Sequence, residues 1–124
     1  MSKILIVDDD QDIRDSVKMV LESKGHEVEA ASNVAEAEKI IRKGGLDLIL
    51  LDIMMDSPDD GIALARKIKK DGVKAPIVML SGVGQVTGYH YGKCDEVLPC
   101  IDFIEKPVTP DELISKVEAV LGKE

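Results

Sequence analysis

Tryptophan is absent from this chain, and with one phenylalanine and two tyrosines the aromatic residues make up 2 % of its 124 residues. A core built on ring packing is therefore excluded, and burial must rest on aliphatic side chains. Cysteine is nearly as scarce, with Cys94 and Cys100 the two present. Two thiols are too few for a disulfide scaffold in a chain that can bury its own core, and they read as reduced. Long hydrophobic runs are missing as well: the longest, Leu46 to Met55, is broken by Asp47 and Asp52, short of the roughly 18–20 apolar residues a membrane span needs. Met1-Ser2-Lys3 leads directly into Ile4-Leu5-Ile6-Val7 without a cleavage site, which is not the layout of a secretory signal. The expected compartment is the cytoplasm, with no membrane partner. Basic residues are outnumbered, 16 Lys+Arg against 24 Asp+Glu for a net charge of −8. Holding a polyanion draws on basic patches, so direct nucleic-acid binding is not expected, while cations are favoured as ligands.

What is present is 44 % hydrophobic and 32 % charged residues, the balance of one globular domain over residues 1–124. Short β-branched runs alternate with segments whose apolar residues recur at helical spacing. Strands are expected at Lys3–Val7, Glu27–Ala31, Leu46–Leu51, Pro76–Leu80 and Ile101–Glu105. Between the first two, Gln11–Lys24 places Ile13, Val17, Val20 and Leu21 on one helical face, with Gly25 as the stop. Ser32-Asn33 followed by Glu36 has the form of a capping box, opening a helix that Gly44-Gly45 ends. Ile62–Lys70 is the third helix. Thr109-Pro110-Asp111-Glu112 combines an N-cap, a first-turn proline and a capping-box Glu at the head of the last. From Gly82 to Pro99 the four glycines leave only a weak helical pattern. Strands alternating with helices imply an open parallel sheet covered on both faces. The chain stops directly after the last helix, so no output domain is expected on it.

In such a sheet, ligands bind at the carboxyl ends of the strands. The first strand runs into Asp8-Asp9-Asp10, the third into Asp52, the fourth into Ser81 and the fifth into Lys106-Pro107. Helix capping accounts for one aspartate of the first group but not for three. If Asp8, Asp9 and Asp52 converge, each close pair opposes folding by on the order of 4 kcal/mol at an effective dielectric near 20. A divalent cation or an ammonium is the natural compensation, and oxygen ligands with room for water suit Mg²⁺. Lys106 can supply the ammonium. A carboxylate beside such cations is suited to receive a phosphoryl group, with Ser81 placed to hydrogen-bond one of its oxygens.

The segments KILIVDDD, DLILLD, PIVMLSG and FIEKP resemble the receiver domain of two-component response regulators, and the likeness spans Lys3 to Leu121. It implies a flavodoxin-like (βα)5 α/β sandwich with strand order 2-1-3-4-5. It also implies Asp52 as phosphoacceptor and Mg²⁺ held by Asp8, Asp9, Asp52 and the carbonyl of Met54. By the same resemblance Lys106 is the charge-neutralising lysine, Ser81 the switch hydroxyl, Phe103 the switch aromatic and Pro107 the family's common cis proline. Phosphorylation would come from a sensor histidine kinase or histidine phosphotransfer domain. It would alter the face formed by the fourth helix, fifth strand and fifth helix, where a downstream effector or output domain engages. A homodimer through the last two elements is compatible with this. The domain would catalyse only its own phosphorylation and dephosphorylation, not the turnover of a free substrate. Two departures stand out: no Pro follows Met54, and the loop from there to Gly61 is one residue longer than the family's. The stretch from Ser81 to Lys106 is longer too, and Gly-rich where the family has its fourth helix.

Other readings explain less. Gly82-Val83-Gly84-Gln85-Val86-Thr87-Gly88 misses the dinucleotide fingerprint by one residue and follows the wrong strand. An aspartyl-phosphate phosphatase would want a second acid where Met54 stands. His90, Cys94 and Cys100 match no common zinc spacing and lack a fourth ligand. The alternative that competes is a receiver-like module that binds partners without being phosphorylated, for which the unusual loops speak.

Overall fold

Alternating β-branched runs and amphipathic segments become five strands and four helices among the described residues, which in this computed structural model are 2–52, 60–73, 75–81, 102–105 and 109–122. In chain order they are β1 (Lys3–Val7), α1 (Gln11–Glu22), β2 (Glu27–Ala31), α2 (Val34–Lys43), β3 (Leu48–Asp52), α3 (Asp60–Lys70), β4 (Ile77–Ser81), β5 (Asp102–Glu105) and α4 (Pro110–Gly122). The strands form one parallel sheet in the order β2-β1-β3-β4-β5. This is the flavodoxin-like order that the resemblance implies.

Residues Ile4–Val7, Leu48–Leu51 and Ile77–Leu80 are all fully buried, as expected of parallel strands covered on both faces. Period-2 alternation divides them between two clusters. Leu5, Val7, Ile49, Leu51, Ile77 and Met79 pack with Ala37 of α2 and Leu64, Ala65 and Ile68 of α3. Ile4, Ile6, Leu48, Leu50, Val78 and Leu80 pack with Val17 and Leu21 of α1 and Leu113, Val117 and Val120 of α4. Each helix pair thus covers one face of the sheet, and aliphatic side chains suffice for both layers.

Most expected boundaries hold within two residues, and the differences have local causes. Strand β3 starts at Leu48 because Asp47 is occupied in tying the strand start to β1: its side chain accepts from the Lys3 N–H at 2.8 Å and its own N–H donates to the Lys3 carbonyl at 2.7 Å. Helix α1 ends at Glu22, two residues before the expected Lys24, and Gly25 follows at φ 88°. At the head of α2 the N-cap is Asn33, whose side chain accepts from the Glu36 N–H at 2.9 Å. The Glu36 carboxylate reaches back to the Ser32 N–H at 2.8 Å and to the Ser32 hydroxyl. Those two bonds, the hydroxyl first, hold the Glu36 carboxyl below its ordinary value. Its contribution is therefore present above the ordinary carboxylate range and is lost as pH falls through the lowered folded-state value. Thr109 caps α4 as expected, accepting from the Glu112 N–H at 3.3 Å. Replacing Asn33 by Ala should lower stability by about 1 kcal/mol, whereas Asp there should hold it near wild type. Urea unfolding of the two variants checks this.

Candidate functional site

At the carboxyl edge of the sheet, β1 runs into Asp8 and β3 ends on Asp52. The parallel register that pairs Val7 with Leu51 puts these aspartates at the same level of the sheet. Period-2 alternation also continues into them: Asp8 follows Ile4 and Ile6, and Asp52 follows Leu48 and Leu50, on the face covered by α1 and α4. The carboxylates therefore extend two apolar rows by one step and keep the burial of those rows. Asp8 is 0 % exposed and Asp52 1 %. Asp9 joins them from the β1–α1 loop, exposed to solvent, and carboxylate oxygens of the three lie within 4.8 Å of one another.

Local hydrogen bonds fix the β1–α1 turn. The Asp8 N–H donates to the Ala31 carbonyl of β2 at 3.1 Å. The Asp8 Oδ1 accepts from the Asp10 N–H at 2.9 Å, and Asp10, the N-cap of α1, accepts from the Asp12 N–H at 2.9 Å. The triplet thus divides its work, with one residue closing the helix and two left to form the acidic site. Arg14 was not singled out from the sequence. Its Nη1 donates to the Asp8 carbonyl at 2.6 Å, clamping the strand end from the first turn of α1. A cation four residues after the N-cap of an acidic turn is the sequence signal that could have found it.

The backbone also places the other expected positions. Asp52 is in register with Leu80, the residue before Ser81, and Ser81 with Glu105, the residue before Lys106. Phe103 lies on β5 in register with Met79. Met54, Lys106, Pro107, His90 and both cysteines fall outside the described residues, as does the Gly82–Pro99 segment.

Three carboxylates within reach of one point, two of them in the interior, are a poor arrangement without a cation and a good one with a hard divalent ion. All the donors are oxygens, and exposed Asp9 leaves a side open to water, which fits Mg²⁺ better than a closed cage. The donor set fits such an ion.

With that geometry in place, the sequence profile of the response regulator receiver domain matches residues 4–118. The chain belongs to the receiver family of two-component response regulators. A receiver domain of this family is a signalling domain and not a conventional enzyme. This one is 39 % identical over 97 % of its length to the phosphate regulon transcriptional regulatory protein PhoB of Pseudomonas aeruginosa, covering 52 % of that protein. It is 36 % identical over 98 % of its length to the transcriptional regulatory protein SrrA of Staphylococcus aureus, covering 48 %. The chain spans about half the length of the curated relatives it matches. Among solved structures, the receiver domain of NtrX from Brucella abortus superposes with a TM-score of 0.82 at 37 % identity, covering 98 % of this chain and 99 % of that one. No helix among the described residues is long and apolar enough to cross a membrane.

Proposed function

We propose that this receiver domain is a phosphoacceptor switch, phosphorylated on Asp52 with Mg²⁺ by a histidine kinase or histidine phosphotransfer domain. The observation that carries the reading is the meeting of the Asp8, Asp9 and Asp52 carboxylates at the sheet edge, with Asp52 enclosed at the end of its central strand. Asp8, Asp9, Asp52 and the Met54 carbonyl would hold the ion. When bound, it supplies positive charge against the oxygens of the transferring group. An Asp52 oxygen forms the new bond to phosphorus as the bond from phosphorus to the donor's imidazole nitrogen breaks, and the freed imidazole keeps that electron pair. Burial of Asp52 limits competing water, and the Arg14 clamp holds Asp8 in place. Lys106 balances the phosphoryl charge, and Ser81 donates to a phosphoryl oxygen.

The modification adds about −1.5 to −2 charges and new acceptors at the sheet edge. Drawing Ser81 toward those acceptors lets Phe103 rearrange, which changes the partners accepted by β5 and the helices beside it. The same residues govern hydrolysis of the acyl phosphate, so the domain acts on itself and not on a free substrate. The partners are a cytoplasmic phosphodonor protein and a downstream effector or output domain. The likeness to PhoB and SrrA makes a transcriptional output the first to test. Homodimers through the last two elements are a route by which the switch would act.

Incubation with acetyl phosphate, followed by intact-mass spectrometry, tests the reading. One phosphoryl adduct is expected with Mg²⁺ and none after chelation by EDTA. Absence of the adduct under conditions that phosphorylate another receiver domain would favour the unphosphorylated interaction module.

A further inference from the structure

The opposite face of the sheet carries a surface that the acidic site does not use. Helices α2 and α3 meet along a seam bridged by Glu38, which pairs with Lys67 at 2.9 Å and with Arg42 at 3.8 Å. Along the seam lies a shallow groove. It measures about 510 Å³ and has Val34, Ala35, Ala63 and Leu64 in its floor. A second depression of about 630 Å³, lined by Ala63, Arg66, Lys67, Lys70 and Asp71 on and just after α3, adjoins it at Ala63 and Lys67. Apolar floor and basic flank therefore adjoin at Ala63 and Lys67.

The charge on this rim runs against that of the chain. Arg42 and Lys43 end α2, and Lys67, Lys69 and Lys70 end α3 beside Arg66. All six are solvent-exposed, in a chain of net charge −8. Among the described residues, Lys43, Arg66, Lys69 and Lys70 make no ion pair, and Glu38 is already shared between Arg42 and Lys67. Cations in a last helical turn also complement the helix dipole, but that accounts neither for their gathering from two helices nor for the apolar floor between them. In sequence the basic residues are dispersed, which is why no basic patch was expected there.

We propose that the α2–α3 groove docks an acidic amphipathic helix of a partner protein, with aliphatic residues on the Val34, Ala63 and Leu64 floor and carboxylates against Arg66, Lys67 and Lys70. Charge complementarity selects this occupant: an anionic helix meets the basic rim, while its apolar stripe uses a floor that a nucleic acid would leave uncovered. The inference does not depend on phosphorylation of Asp52.

The test uses a fluorescent peptide of about 18 residues, with Leu at helical spacing and Glu elsewhere, titrated with the wild-type protein. Binding should weaken with added salt and fall at least about tenfold in the double variant Arg66→Glu, Lys70→Glu. Lys18→Glu on α1, equally exposed, should leave it unchanged. Ala63→Arg adds positive charge while filling the floor, so groove docking predicts weaker binding where bare charge attraction predicts stronger. Thermal melts establish that each variant is folded. The proposal is overturned if the peptide does not bind at low salt, or if the double reversal has no effect. It fails equally if Ala63→Arg binds more tightly, or if polyglutamate without Leu or a short DNA duplex binds as well as the peptide.

Discussion

Asp52→Asn should leave no phosphoryl adduct after treatment with acetyl phosphate and Mg²⁺, a loss of at least about 100-fold, because an amide oxygen is a far weaker nucleophile than a carboxylate. The same variant should be more stable than the wild type without metal. Carboxylates of Asp8, Asp9 and Asp52 meet within 4.8 Å, and removing one charge relieves repulsion of on the order of 3–4 kcal/mol per pair at an effective dielectric near 20, less for the pair with exposed Asp9. Asparagine also brings an N–H donor that a neighbouring carboxylate can accept. If ~1 kcal/mol of this survives solvent screening, the melting temperature rises by roughly 4 °C for a domain of this size. Mg²⁺ should stabilise the wild type through linkage and stabilise the variant less, since one ligand charge has gone. Thermal melts with and without Mg²⁺, beside intact-mass spectra, read both effects. An Asp52→Asn protein that still takes up the phosphoryl group would show that the acceptor lies elsewhere. A variant less stable than the wild type without metal would overturn the expected relief of repulsion and make Asp52 a stabilising residue of the sheet edge.

Leu50→Ala should cost about 2–5 kcal/mol, a large part of the roughly 5–15 kcal/mol that holds a domain together. Leu50 is fully buried in the middle of the sheet, with β1 and β4 on either side of its strand and α1 and α4 among its cluster. Tight neighbours on all sides leave little room for the cavity to collapse, which places the effect in the upper half of that range. Met19→Ala is the control: Met19 is 69 % exposed, and its loss should change stability by no more than about 0.5 kcal/mol. Guanidinium unfolding of the two variants measures the contrast. Near-equal stabilities would mean that the β3 core is far more adaptable than its burial indicates.

The parallel sheet was legible because its strands carry their evidence locally. Ile4–Val7 and Leu48–Leu51 are short aliphatic runs that a chain of this length buries only between two helical layers. Gly25, Asn33 and Thr109 mark the helix ends by backbone and capping chemistry that acts within a few residues. The acidic site was legible for a similar reason, since Asp8 and Asp52 follow buried strands directly and the fold brings strand ends together. What escaped was information that exists only between distant elements. Arg14 matters through a bond to the Asp8 carbonyl, and its place four residues after the Asp10 N-cap is the one local hint of that. Asp47 looked like an interruption within a strand, yet its bonds to Lys3 make it the point where β3 starts. The basic rim joins cations about 25 residues apart along the chain, which periodicity within either helix does not reveal.

The alternation that carries Asp8 and Asp52 beyond the apolar rows of β1 and β3 also decides which parts of this receiver domain can yield. Both aspartates sit at the ends of interior strands, the kind of element that opens last, so moving either backbone would mean shifting the sheet. As the proposed acceptor, Asp52 is in this sense a fixed post. Any rearrangement that follows a new charge on it must be taken up by groups that come to meet it, and a small displacement there is not dissipated by a retreat of the anchor. On the proposed function, a nucleophile held this way would give a signal one direction in which to travel, outward from the sheet edge toward the surface where partners would be read.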